Sequence, residues 1–322
     1  MGEEVRNTGD RAEKRLIALL KEFGWEYIGG GRDIDCKSRK HDKDQHGIDG
    51  YMAYKDSYLA DERGVIVESK SKQWGSWGPS SLQADAKQVR TALECSTRSQ
   101  DFEEKLNDYE NRRRDTAILG AFTNDDEYDH EKFQAYVESC RVKKGGGPSH
   151  VLILGNRELN RLASIQRKYK EIQETHTNGE DIIEGDLNFY YPSLQEPRAA
   201  PDRRSTISFE YLFSDFVYAK LQKTKLNNKD VETRDVSIVF NSAGTDKDSL
   251  EFLYYSLRDN ELLDADEVWI YSYIEAGEEE DEQYERAVEK LEGSILPPDT
   301  PFQFHQLPQV DYKSYADDLR ED

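Results

Sequence analysis

Apolar positions in the first half of this chain switch between a helical and a strand period. Ala12, Leu16, Leu19, Leu20 and Phe23 recur at helical spacing, and Gly24 ends that run. Asp10, with Glu13 three residues on, reads as a capping box that opens the helix. Trp25, Tyr27 and Ile28 predict a strand closed by a turn at Gly29-Gly30-Gly31, and residues 32–46 predict a polar loop. Ile48, Tyr51, Met52 and Tyr54 place a strand over Gly47 to Tyr54, and turn-rich residues run from Lys55 to Arg63. Val65-Ile66-Val67 then begins a strand antiparallel to it. Pro79, at the favoured first position, starts a helix carrying Leu82, Ala86, Val89 and Leu93 on one face. A charged helix over 101–113, a strand over 116–122, a helix over 130–140, a strand over 151–154 and a basic helix from 156 to 174 follow. This order predicts an α/β domain, a mixed sheet flanked by helices.

The rhythm breaks over residues 176–204, where Asn178-Gly179, Pro192, Pro197 and Pro201 suggest a linker or an extended crossover. Strands over 236–240 and 268–273 and helices over 250–257 and 284–291 predict a second, smaller α/β unit. The acidic run Glu278 to Glu282 suits the start of its last helix. The expected division is 1–175, 176–204 and 205–322, with no internal repeat in the sequence.

Composition adds charge to this picture. Mean hydropathy is −0.92 and 34% of residues are charged, and no apolar run approaches the roughly 18 residues of a membrane span. Nothing at Met1-Gly2-Glu3-Glu4 resembles a secretory signal, so a cytoplasmic protein is expected. Cys36, Cys95 and Cys140 are odd in number and widely spaced, which reads as reduced thiols and not as a disulfide frame or zinc site. The net charge of −22 is uneven: residues 246–322 hold 23 acidic and 6 basic side chains. The rest is close to balanced and carries basic clusters at Lys37/Arg39/Lys40/Lys43, Arg112/Arg113/Arg114, Arg141/Lys143/Lys144 and Arg157/Arg161/Arg167/Lys168/Lys170. Such a domain can hold a phosphate backbone. The acidic domain repels phosphate and is expected to mediate assembly, as a homo-oligomer or with a partner subunit.

The candidate chemistry lies in Gly64-Val65-Ile66-Val67-Glu68-Ser69-Lys70. On a strand, Ile66, Glu68 and Lys70 share one face, so an apolar run ends in a carboxylate and an amine side by side. The same acid-x-Lys triplet recurs at Asp35–Lys37, Asp85–Lys87, Glu103–Lys105 and Asp311–Lys313, so context decides. Here His46-Gly47-Ile48-Asp49-Gly50 lies one hairpin upstream, a helix bearing Glu13 precedes it and a helix bearing Gln83 and Gln88 follows. Asp33 or Asp35 is the other candidate for the strand carboxylate.

Over roughly residues 8–155 this arrangement resembles the PD-(D/E)xK, or restriction-endonuclease-like, nuclease superfamily, with Ile48 where the signature has proline. The resemblance is nearest to restriction-type and junction-resolving enzymes. It implies that Asp49 and Glu68 bind Mg²⁺, which Mn²⁺ can replace, with Glu13 supporting the metal from the first helix. Lys70 would face the attacking water, and Gln83 would be a helix-borne accessory residue. The activity implied is hydrolysis of phosphodiester bonds in a DNA substrate, as a nuclease of restriction or anti-phage defence. The alternatives are a scaffold subunit that binds nucleic acid without cutting, or a resolvase of branched DNA. Three further signals are weaker. His41 and His46 flank Asp44 but match no standard zinc spacing, Trp74 and Trp77 could stack on a base or pack their loop, and helix 157–170 could track phosphates.

Overall fold

The computed structural model describes residues 2–59, 61–106, 112–141, 149–177, 182–192, 205–227, 230–274, 278–294 and 302–320. Two compact units divide the chain: Met1–Asn160 together with Tyr312–Asp322, and Arg161–Asp311. This differs from the sequence boundaries, because the last residues belong with the first unit. Both units are mixed five-stranded sheets flanked by helices.

In unit one, α1 (Gly2–Glu22) precedes β1 (Glu26–Asp35), β2 (Gln45–Lys55) and β3 (Glu62–Lys72). Helices α2 (Pro79–Ser96) and α3 (Gln100–Leu106), strand β4 (Arg113–Thr123), helix α4 (His130–Ser139) and strand β5 (His150–Leu154) follow. The sheet order is β1-β2-β3-β4-β5, antiparallel over the first three strands and parallel over the last three. A helix covers each face. Ile66 packs with Leu82, Ala86 and Val89 of α2 and with Leu119 and Phe133 in one buried cluster. On the other face α1 is so close that a Cβ at Gly120 would lie 2.9 Å from Leu16, and one at Gly50 3.1 Å from Ile17. Alternation on β3 therefore turns Glu68 and Lys70 toward α2 and Ser69 toward α1.

Several expectations are corrected. α1 already runs from Gly2, so Asp10 and Glu13 lie within it and form no capping box at its start. The three glycines do not close β1 but lie inside it, where the register shifts between Tyr27 and Gly29. Close approach explains them: a Cβ at Gly30 would sit 2.0 Å from the carbonyl oxygen of Asp49, and Gly31 has φ +61°. The charged helix is described over Gln100–Leu106, residues 107–111 of its expected range lie outside the described residues, and Arg113 already opens β4, held by an ion pair to Asp115 at 2.5 Å.

Helix α5 (Asn156–Thr177) leads into unit two. There β6 (Ile182–Phe189), β7 (Phe216–Asn227) and β8 (Asp230–Asn241) run antiparallel, with the short helix α6 (Phe209–Leu212) before β7. Helix α7 (Lys247–Asp259), strand β9 (Glu267–Ser272), helix α8 (Glu278–Ser294) and strand β10 (Phe302–Gln306) complete it, the last three strands parallel. The region expected to be a linker thus holds strand β6. Residues 178–181, with Asn178-Gly179, and 193–204 of that region, and Lys143 and Lys144 of one basic cluster, lie outside the described residues. The order β6-β7-β8-β9-β10 repeats that of unit one, strand for strand in direction, although the sequence shows no repeat. Among the described residues no helix is long and apolar enough to cross a membrane.

Candidate active site

The β2–β3 ladder ends at Gly50 opposite Val67, so Asp49 and Glu68 are the first residues past the last pair. Lys70 reaches into this opening from β3. Its Nζ lies 3.4 Å from Asp49 Oδ2 and is ion-paired with Glu68 Oε1. The Glu68 side chain is 1% exposed, against 28% for Lys70 and 33% for Asp49, so a buried carboxylate sits beneath a ledge that faces water.

Gln88 of α2 donates from Nε2 to Glu68 Oε1 at 3.0 Å. The other oxygen, Glu68 Oε2, is buried with no hydrogen-bond partner among the described residues. An oxygen left in this way costs on the order of 1–3 kcal/mol. Burial first, then the charge of Asp49, push the Glu68 carboxyl up to about 7 against the pull of Lys70. Burial works against the Lys70 ammonium too, but the charges of Glu68 and Asp49 and their hydrogen bonds outweigh it and hold its pKa above the ordinary lysine value. Beyond the cluster, Lys72 pairs with Asp85 at 2.5 Å and lies 4.4 Å over the ring of Trp77.

Three of the sequence candidates therefore converge: Asp49, Glu68 and Lys70. The others lie elsewhere. Gln83 is exposed on α2, and the glutamine that reaches the carboxylate is Gln88. Glu13 is half-buried on α1, the helix of the opposite face, where its charge helps to raise the Tyr27 hydroxyl after burial has done so. Asp33 and Asp35 are exposed on β1, and Asp35 pairs with Lys37 at 3.4 Å. Trp74 stacks on Tyr136 and Trp77 is buried, so both pack their loop. Arg161 is buried and donates to the carbonyls of Leu212 and Ser214, which removes it from any phosphate-tracking face. Arg112, Arg113 and Arg114 pair with Glu62, Asp115 and Glu103.

Two converging carboxylates with one unsatisfied buried oxygen are hard donors suited to a small divalent cation, and the missing partner of Glu68 Oε2 is what such an ion would supply. Residues 1–158 match the family described as GAPS4 protein PD-(D/E)XK nuclease domain. Comparison with curated proteins gives no match. A mixed sheet with the acid-x-Lys triplet on its middle strand, an aspartate across the hairpin and this match lead to one conclusion: residues 1–158 belong to the PD-(D/E)xK nuclease superfamily.

Proposed function

We propose that this chain is a divalent-metal-dependent DNA endonuclease of a restriction or anti-phage defence system, with Mg²⁺ as its ion and Mn²⁺ able to replace it. The observation that supports this best is the Lys70 amine set between Asp49 and Glu68 beside an unpartnered buried carboxylate oxygen. Asp49 and Glu68 would hold the ion. Once bound, it would polarise a phosphate oxygen and make a water more acidic.

Each side chain then has a distinct task. Glu68 is fixed by burial and by the Gln88 amide, so its orientation is set before substrate arrives. Asp49 is partly open to water and can adjust to the incoming phosphate. Lys70 keeps its proton at neutral pH, so it acts as a fixed positive charge that orients water and offsets charge building on the phosphate, not as a proton acceptor. The acidic second unit repels DNA and serves assembly instead. Phe213 and Phe252, 55% and 60% exposed, give it apolar points of contact.

The test is plasmid cleavage with Mg²⁺, with Mn²⁺ and with EDTA. Wild type is expected to cut with either ion and not with EDTA. Asp49→Ala, Glu68→Ala and Lys70→Ala are expected to fold and not cut. Full Mg²⁺-dependent cutting by Glu68→Ala would refute the reading, and RNA or four-way junctions as preferred substrates would redirect it.

A further inference from the structure

Apart from the acidic cluster, unit one gathers a second set of ligating side chains. Cys36, at the end of β1, His41 in the following loop, His46 on β2 and Cys95 on α2 place one ligand atom each within 4.8 Å of all the others. We propose that these four residues form a structural Zn²⁺ site, independent of the ion at Asp49 and Glu68.

Four of the six separations match the edges of a tetrahedron, and the His46 ligand nitrogen lies within 4.8 Å of both sulfurs. With Zn–S of about 2.3 Å and Zn–N of about 2.0–2.1 Å, two sulfurs lie about 3.8 Å apart, sulfur and nitrogen about 3.6 Å, and two nitrogens about 3.3 Å. Cys36 Sγ and Cys95 Sγ are 3.8 Å apart. His41 Nδ1 is 3.5 Å from Cys36 Sγ and 3.4 Å from Cys95 Sγ. His41 Nδ1 and His46 Nε2 are 3.3 Å apart. Without an ion, two thiols and two imidazole nitrogens would point at one another in a half-buried pocket with few better partners. Two thiolates would neutralise Zn²⁺, releasing two thiol protons as it binds.

The surroundings agree. His41 turns its other nitrogen, Nε2, to Glu94 Oε2 at 3.3 Å, and Glu94 pairs with Arg90 at 2.9 Å. A carboxylate behind a ligating imidazole fixes its tautomer and strengthens it as a donor. The amide of Lys37 donates to Cys95 Sγ at 3.4 Å, which suits a thiolate. Cys36 N donates to Asp44 O at 2.8 Å and closes the loop that carries His41. Four protein ligands leave no open position, so the site is structural. It ties β2 to α2, the elements that carry Asp49 and Gln88. His46 precedes Asp49 by three residues, and Cys95 follows Gln88 by about two helical turns. The sequence hides it because the fourth ligand comes from a helix far along the chain.

Full-length protein purified without chelator is expected to carry one zinc per chain by elemental analysis. Replacement with Co²⁺ should give tetrahedral d–d absorption with thiolate-to-cobalt charge transfer. Cys36→Ser and Cys95→Ser should lose both metal and charge transfer, whereas Cys140→Ser and Asp49→Ala should keep them. Metal retained by the two serine variants would overturn the proposal. So would wild-type protein that holds no zinc and takes up no Co²⁺, or a Cys36–Cys95 disulfide found by mass spectrometry in the freshly purified chain. If the serine variants fail to fold, the wild-type cobalt spectrum decides, since a spectrum without thiolate charge transfer also refutes it. Zinc retention by cleavage-dead Asp49→Ala keeps this result separate from the fate of the nuclease reading.

Discussion

Glu68 carries a charge that its surroundings resist, and that makes it the most informative single residue. Its carboxyl releases a proton near 7 in the folded chain, against an ordinary value of 4.5. At this group the folded state therefore holds more protons than the unfolded one between those values, so the Glu68 contribution to metal-free stability falls as pH rises from about 4.5 to about 7 and then levels off. In chelator, Glu68→Gln should match wild type in Tm at pH 4.5 and exceed it at pH 8. Adding Mn²⁺ at pH 8 should raise wild type above the variant, because an ion that binds only the folded state stabilises it. Equal melting at both pH values would show that the carboxylate is not held this way. Gln88 gives a second test at this scale. Losing a hydrogen bond to a charged group costs about 1.5–3 kcal/mol, so Gln88→Ala should lower kcat/KM at least about tenfold, with Gln83→Ala unchanged. Equal effects would remove Gln88 from its positioning role. The strand residues were legible because period-two alternation joins Glu68 to Lys70. The glutamine was not, because Gln83 and Gln88 flank the apolar stripe of α2 on opposite sides. The stripe alone does not say which flank meets the strand end.

Among the elements, β1 shows where local pattern misleads. Three glycines in a row read as a turn, yet the strand runs through them because β2 passes too close for a side chain. The contact is to the carbonyl of Asp49 itself, so the glycine on β1 sets where a site residue on β2 sits. Gly30→Ala would force a Cβ against that oxygen at 2.0 Å, and backbone rather than a flexible side chain would have to move. The variant should melt well below wild type and lose cleavage, since shifts of about 1 Å at a reacting centre can cost on the order of a hundredfold in rate. Gly75→Ala, where a Cβ meets nothing within 4 Å, should change neither. Thermal unfolding and plasmid cleavage on the two variants decide it, and an active, stable Gly30→Ala would refute the close approach. Elements with strong periodicity, such as β3, β4 and α2, were readable from sequence. Strand β6 was not, since its residues Ile182 to Phe189 mix Gly185 and Asp186 into a short apolar pattern within a stretch rich in turn residues.

Across the whole chain, two sheets share one strand order while only one carries the acid-x-Lys triplet on its middle strand. β8 reads Val236-Ser237-Ile238-Val239-Phe240-Asn241 at the matching end of the second sheet. Topology is thus repeated without its chemistry, which a search for repeated sequence cannot see. The last residues add a second long-range feature. The C-terminal helix Tyr312–Asp318 belongs to unit one, although sequence boundaries place it in the acidic domain. Arg15 of α1 donates from Nε to Asp317 Oδ1 at 2.8 Å, and Tyr312 is buried with its ring 5.7 Å from Phe122. Its amide donates to Asn160 Oδ1 at 2.9 Å. No local pattern foretells contacts between residues some 300 positions apart. Removing residues 312–322 should therefore destabilise the nuclease unit, and Tyr312→Ala alone should cost on the order of 3 kcal/mol, the scale of deleting a large buried ring. The Arg15 hydrogen bond holds the Asp317 carboxyl below its ordinary range. That part of the stability is complete above the ordinary carboxyl value and is lost as pH falls through the lowered folded one, so Arg15→Ala should flatten the acid limb of a Tm-against-pH curve. Truncation at Asp311 that left both melting and cleavage unchanged would place the tail outside the nuclease unit. A loss of both would mean that deleting the whole acidic domain cannot test the proposal that it mediates assembly, and that Phe252→Glu, read by light scattering, is the sounder probe.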